Sequence, residues 1–164
     1  MRIAIISDTH DNIFTLKKAL LWINKEKISK IIHCGDITRV DTLREMMDNF
    51  KGEIYFVSGE PDDEEFKNAK EVNKHVHICG KVGGFTVDNM KIGFVHTPKD
   101  ARKLAESSQF NIVFYGHTHK PWEESINGCK MVNPGNMAGV FYKATFAVFD
   151  IESGNLSLKI VENL

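Results

Sequence analysis

The chain has 164 residues, 42% of them apolar and 26% charged, with a formal net charge of −1. These are the size and make-up of one globular domain with a core of its own, and the near-neutral balance argues against a nucleic-acid polymer or an anionic membrane as partner. The three cysteines, Cys34, Cys79 and Cys129, form no CxxC pair, which disfavours both a disulfide framework and a thiolate zinc site and fits a reducing cytoplasm.

In chain order, Arg2–Ile6 reads as a buried strand, followed by a polar turn at 7–12. A helix is expected over Ile13–Lys25, with Ile13, Leu16, Leu20 and Ile23 on one face and Asp11 or Asn12 as its cap. Strand Lys30–His33, a helix with the stripe Val40, Leu43, Met47 and Phe50, and strand Glu53–Val57 follow. A β-α-β-α-β opening predicts parallel pairing. The acidic stretch 60–71 has room for a short helix after Pro61. Short strands are expected at Val76–Cys79, Phe85–Val87 and Lys91–Val95, with turns at Gly83-Gly84 and Asp88-Asn89. A helix over Lys99–Ser107 precedes strand Asn111–Tyr115. The remainder reads as strands Glu123–Ile126, Lys130–Val132, Thr145–Phe149 and Leu156–Val161, with hairpin turns at Asn127-Gly128 and Ser153-Gly154. No linker divides the chain, so residues 1–164 are read as a single domain of two face-to-face sheets with helices outside. No basic stretch precedes a long apolar segment, so neither a signal peptide nor a membrane span is expected.

Five of these apolar runs end one to three residues before a potential metal ligand. Ile3–Ile6 leads to Asp8 and His10, and Ile31–Ile32 leads through His33 to Asp36. Ile54–Val57 leads to Gly59-Glu60, Ile92–Val95 to His96, and Ile112–Tyr115 to Gly116-His117-Thr118-His119. Ligands of α/β sheets bind beyond the carboxyl ends of the strands, so three carboxylates and four imidazoles are placed to converge on one rim. That inventory suits a pair of divalent cations and phosphate chemistry. Each fragment also has a plainer reading. Asp8-Thr9-His10 makes a good helix cap, many loops contain Gly-Asp, and a lone strand-end histidine such as His96 is usually just satisfied locally. The paired histidines of 116–119 are the most specific element, because residues i and i+2 of an extended stretch point the same way.

Together the motifs D-x-H, G-D, G-N-x-D/H, H-G and G-H-x-H, each after a strand, resemble those of the calcineurin-like metallophosphoesterase superfamily. Here they stand as Asp8 and His10, Gly35-Asp36, Gly59-Glu60-Pro61-Asp62, His96-Thr97, and Gly116-His117-Thr118-His119, followed by Asn133-Pro134-Gly135. The resemblance is strongest to the compact bacterial and archaeal phosphodiesterase branch, which lacks an inserted cap. It implies a four-layer αββα sandwich of two mixed β-sheets flanked by helices. It also implies a dinuclear, metal-dependent phosphoesterase that hydrolyses a small phosphodiester through a metal-bridging hydroxide. One metal would take Asp8, His10, Asp36 and His119; the second would take Asp36, Glu60, His96 and His117, with Asp36 bridging. Asp36, His96 and Asp62 are the residues assigned to catalysis. The expected cofactors are two divalent ions, Mn2+ first, with Ni2+, Zn2+, Fe2+ and Mg2+ as alternatives. The expected partner is a small phosphoester, with self-association left open.

Two positions depart from the family pattern. Glu60 stands where the family has a metal-binding Asn, which lowers the charge of the site by one; one such charge at 4 Å is worth about 4 kcal/mol at moderate polarity. Thr97 stands where Gly is usual and would narrow the approach to the second metal. These departures keep a runner-up open: a binding or scaffold protein on the same fold with a weakened metal site, as in a retromer subunit that resembles this branch. Elsewhere, His33 reads as a buried histidine supporting the ligands. His75 and His77 read as solvent-facing positions on a strand, and Cys34 and Trp22 as packing. Trp122 reads as packing or as a wall of the substrate pocket.

Overall fold

The computed structural model describes residues 1–57 and 74–164. Glu60 and Asp62, with the acidic run 60–71 and the helix expected there, lie outside the described residues. The described chain forms β1(Arg2–Ile6), α1(Ile13–Lys25), β2(Lys30–His33), α2(Val40–Asn49), β3(Glu53–Phe56), β4(Val76–Ile78), β5(Val82–Val87), β6(Met90–Val95), α3(Pro98–Glu106), β7(Ile112–Phe114), β8(Trp122–Ile126), β9(Cys129–Asn133), β10(Thr145–Asp150) and β11(Leu156–Ile160), then a 3-10 turn over Val161–Asn163.

The strands make two mixed sheets, ordered β11-β10-β1-β2-β3-β4 and β5-β6-β7-β9-β8. Strands β1 to β4 pair in parallel, as do β6, β7 and β9. The alternation of side chains builds the layers. Ile3 and Ile5 of β1, with Ile32 of β2, face the second sheet, where Ile92, Phe94, Ile112 and Phe114 meet them. Ala4 and Ile6 face the opposite way, onto Leu16, Leu20 and Ile23 of α1 and Leu43 and Met46 of α2. Beyond the second sheet, Val95, Val113 and Met131 pack on Ala101 and Ala105 of α3. This is the αββα layering the motifs imply, with three helices among the described residues.

Two local expectations are corrected and one is narrowed. Gly83-Gly84 is not a turn but the start of β5, paired with Phe94 and Gly93. A Cβ at Gly83 would run into the Phe94 ring, so the glycine serves close packing inside a strand. In α2 the buried methionine is Met46, with Met47 only half-buried. Of the two caps expected for α1, Asn12 is the one used, accepting the Thr15 N–H at 3.3 Å. Asp11 instead reaches the start of α2, accepting from the Arg39 N–H at 3.1 Å and the Thr42 and Thr38 hydroxyls. Burial works against its charge, but those hydrogen bonds win and hold its carboxyl below the ordinary value.

Candidate metal centre

Four parallel strands, β1 and β2 of one sheet and β6 and β7 of the other, end at the same rim, and the turns beyond them are tied together by backbone. The Asp8 and His10 N–H groups donate to the Gly35 and Asp36 carbonyls, both at 3.0 Å. In the other sheet the Gly116 N–H donates to the His96 carbonyl at 2.9 Å. The two pairs of turns are joined by the His117 N–H, which donates to both carboxylate oxygens of Asp8 at 3.0 Å. Gly116 permits that approach, since a Cβ there would collide with Ser7 and the Asp8 carboxylate. Gly35, at φ +106°, would place a Cβ 2.6 Å from Nδ1 of His96.

Asp8, His10, Asp36, His117 and His119 all adopt left-handed backbone, with φ of 52°, 42°, 60°, 71° and 61°. Such conformations are costly for residues other than glycine and collect at functional sites. Five neighbouring left-handed candidate ligands make a rim that turns its side chains toward one another at the expense of local backbone comfort.

Two groups of three side chains have their ligand atoms within 4.8 Å of one another: Asp8, His10 and His119, and Asp8, Asp36 and His96. Asp8 is common to both groups. Asp36 also spans them, its two oxygens lying 3.6 Å from Nε2 of His10 and 3.3 Å from Nε2 of His96. His117 joins through Nδ1, 3.3 Å from Nε2 of His96. All six candidate ligands among the described residues therefore meet. Exposure grades across them, from 0% at Asp8 and 14% at His119 to 37% at Asp36, so the site has a buried floor and an open mouth.

The protons of this cluster can be assigned from its partners. Nδ1 of His96 lies 2.9 Å from the Cys34 carbonyl, which only accepts, so Nδ1 carries the hydrogen. Nε2 of His96 faces an Asp36 oxygen at 3.3 Å. Nε2 of His10 and Nε2 of His119 face each other at 3.0 Å, and the buried Nδ1 of His119 has no hydrogen-bond partner among the described residues. Imidazole nitrogens and carboxylate oxygens thus converge at one rim. The donor set of imidazole nitrogens and carboxylate oxygens is one that divalent transition metals prefer. Burial pushes the Asp8 carboxyl above its ordinary range, opposed by the nearby His96 and His119 imidazoles and the His117 N–H.

Behind the rim, His33 is fully buried. The Gly35 N–H donates to its Nδ1 at 3.2 Å, so Nε2 carries the hydrogen and donates to Oγ1 of Thr9 at 2.7 Å. One imidazole thereby joins the turn of Asp8 and His10 to the turn of Asp36. Burial, then the charges of His96 and His10, push its pKa down to about 3, so it works as a neutral ring. Thr97 spends its hydroxyl on capping α3, donating to Asp100 Oδ2 at 2.8 Å and accepting the Asp100 N–H at 3.2 Å. Trp122 is 52% exposed and lines a cleft with Pro121, Leu156 and Leu158 at the edges of β8 and β11, apart from the six candidate ligands.

Two asparagines carry roles that residue spacing alone did not reveal. Asn133 donates to the Gly116 carbonyl at 2.9 Å and to Thr118 Oγ1 at 3.0 Å, and Asn136 donates to the His119 carbonyl at 3.1 Å. Both brace the histidine turn from β9 and the loop after it. The Asn133-Pro134-Gly135 turn was the only signal available for them.

Residues 1–154 match the calcineurin-like phosphoesterase superfamily domain, and the chain belongs to that superfamily. A phosphodiesterase of Methanocaldococcus jannaschii is 29% identical over 144 residues, which is 85% of this chain and 86% of that protein. A solved archaeal phosphodiesterase shares the fold at a TM-score of 0.87 and 27% identity, covering 98% of this chain and 99% of the other. Vacuolar protein sorting-associated protein 29 of Schizosaccharomyces pombe is 28% identical over 121 residues, 69% of this chain and 58% of that protein.

Proposed function

We propose that this member of the calcineurin-like phosphoesterase superfamily hydrolyses small phosphodiesters with two divalent cations, manganese first among them. The observation that carries the reading is the convergence of Asp8, Asp36 and four imidazoles whose ring nitrogens face one another or a carboxylate. Asp8, His10 and His119 would hold one cation. Asp36, His96, His117 and Glu60 would hold the second, with Asp36 and Asp8 the carboxylates placed between. Divalent pairs supply charge to the phosphate oxygens and a reactive water at neutral pH.

The chain's own residues prepare that site. Asp8, buried and gripped by the His117 N–H, is the fixed point of the rim. The Cys34 carbonyl holds the His96 tautomer that turns its Nε2 inward. Asp36 and His10 form the open side, where an anionic substrate enters. Glu60 adds negative charge, which opposes a dianionic monoester more than a monoanionic diester. The likeness to a vacuolar sorting protein keeps the scaffold reading as the competitor.

The deciding experiment is metal content followed by a hydrolysis panel. The protein is reconstituted with Mn2+, weighed for bound metal, and assayed on bis(p-nitrophenyl) phosphate and p-nitrophenyl phosphate with and without a chelator. Near two ions per chain and chelator-sensitive diester hydrolysis are expected. Full metal loading without turnover of either ester would favour the scaffold.

A further inference from the structure

The segment between β9 and β10 is tied down at one end and offered to solvent at the other. A bridge between Asn136 and Ala144 closes its base. The Met137 and Ala138 N–H groups donate to the Ser7 and Asp8 carbonyls at 2.9 and 3.1 Å. In return, the Thr15 hydroxyl and the Asn12 amide donate to the Met137 and Ala138 carbonyls at 2.6 and 2.8 Å. Asn136 Nδ2 donates to the His119 carbonyl, and its Oδ1 accepts the Val140 N–H at 2.9 Å. The loop is thus fastened to both turns that carry the Asp8, His10 and His119 group.

Beyond those anchors the chain leaves Val140, Phe141 and Tyr142 at 41%, 90% and 47% exposure. Phe141 sits at φ +65°, a conformation that bulky L-residues avoid. Its ring lies 6.2 Å from the His119 ring, the planes inclined by 37°. A strained backbone therefore holds an apolar ring in water, beside a candidate metal ligand, on a segment braced by the site itself. Packing does not account for that ring; a flat partner arriving with the substrate does.

We infer that Phe141 is a stacking platform for a planar aromatic group borne by the substrate, so that the diester is one carrying a nucleobase or a similar ring. The inference rests on the phosphodiesterase reading. Stacking needs only a π face, so Phe141 selects for an aromatic substituent without selecting among bases. The phosphate is held by the imidazole rim, while the aromatic group lies over the ring next to His119.

The test uses the manganese-loaded full chain. Calorimetry compares thymidine 5′-monophosphate with deoxyribose 5-phosphate, which differ only in the base, for wild type, Phe141→Ala and Phe141→Trp. Hydrolysis of p-nitrophenyl thymidine 5′-phosphate is followed in parallel. In Phe141→Ala, the preference for the base-bearing ligand falls about thirtyfold, near the middle of the range for one stacked base, and kcat/KM for the thymidine ester falls with it; Phe141→Trp retains both. An unchanged preference, with wild type and Phe141→Ala hydrolysing the ester equally, overturns the platform and leaves the phosphodiesterase reading standing. A wild type that hydrolyses neither this ester nor bis(p-nitrophenyl) phosphate overturns the phosphodiesterase reading. Dissociation of a wild-type dimer by Phe141→Ala, with the base preference unchanged, assigns the ring to a contact between copies and overturns the platform.

Discussion

The chain carries two H-x-H triplets near carboxylates, and they do opposite things. His75-Val76-His77 lies at the start of edge strand β4 and pairs with Glu53 on β3. Nε2 of His77 is 2.6 Å from one Glu53 oxygen and Nδ1 of His75 is 3.6 Å from the other. The His77 ring also stacks on Tyr55 at 4.5 Å and 16°. Of the two histidines expected to face solvent, His75 does and His77 is half-buried, and both lie beside Glu53. That carboxyl is held below its ordinary value, chiefly by the His77 hydrogen bond. His117-Thr118-His119 instead follows a buried strand, begins after a glycine and runs through left-handed backbone. There the nitrogens face nitrogens and one carboxylate is sealed from water. Residue type does not separate a surface cluster from a candidate metal site. What separates them here is how many ligand atoms converge and how deeply the central carboxylate is buried.

The comparison breaks most sharply on the ligands. Asp36→Asn and His117→Ala are each expected to lower kcat/KM for a diester by about a hundredfold or more, beyond the usual cost of losing a supporting residue. Both side chains are partly exposed, so Tm should hold. Global unfolding in either variant would make the residue structural.

A smaller effect is expected one layer back. His33→Phe removes the bond to Thr9 and the acceptor for Gly35, and should weaken Mn2+ binding by about 10- to 100-fold, with partial rescue in His33→Gln. Its acid response has a definite sign. A histidine held at about 3 in the fold and at 6.5 when unfolded gives stability that is complete above pH 6.5 and is lost as pH falls toward 3. In urea unfolding of the metal-free protein, the stability gap between wild type and His33→Phe should therefore narrow below pH 6.5, by up to about 1.4 kcal/mol per pH unit. A gap that is flat with pH would show that His33 is not held neutral.

Glu60→Asn should raise the ratio of monoester to diester kcat/KM, measured with one leaving group, one metal and one ionic strength. A flat or falling ratio, with both metals bound, would remove the extra charge from substrate choice. Smallest of all, His77→Gln at the edge cluster should leave diester turnover unchanged and cost about 0–1 kcal/mol in denaturant unfolding, as for exposed ion pairs. Loss of metal in this variant would erase the contrast between the two triplets.

Much of the architecture was legible because its signals are local. Apolar runs marked the strands, and Asp88-Asn89 and Asn127-Gly128 marked hairpins whose residues do adopt positive φ. The misread or undecided places are those where a distant partner decides. Gly83-Gly84 looked like a turn because the Phe94 ring that needs the room lies across the sheet. Asp11 and Asn12 were equally open as the cap of the nearest helix, and only the fold sends the hydrogen bonds of Asp11 to the next one.

The sequence by itself determined which residues stand beyond the strand ends, since strand period and glycine punctuation are properties of a few neighbouring positions. Tertiary structure alone decided what those residues meet. That Asp8 belongs to both ligand groups follows from the His117 N–H reaching it across 109 positions of chain. That Phe141 stands beside His119 follows from Asn12, Thr15 and Asn136 fastening a loop to turns formed far earlier. Neither leaves a periodic trace, because hydrogen bonds between turns depend on sheet order and on the facing of two sheets, not on spacing along the chain.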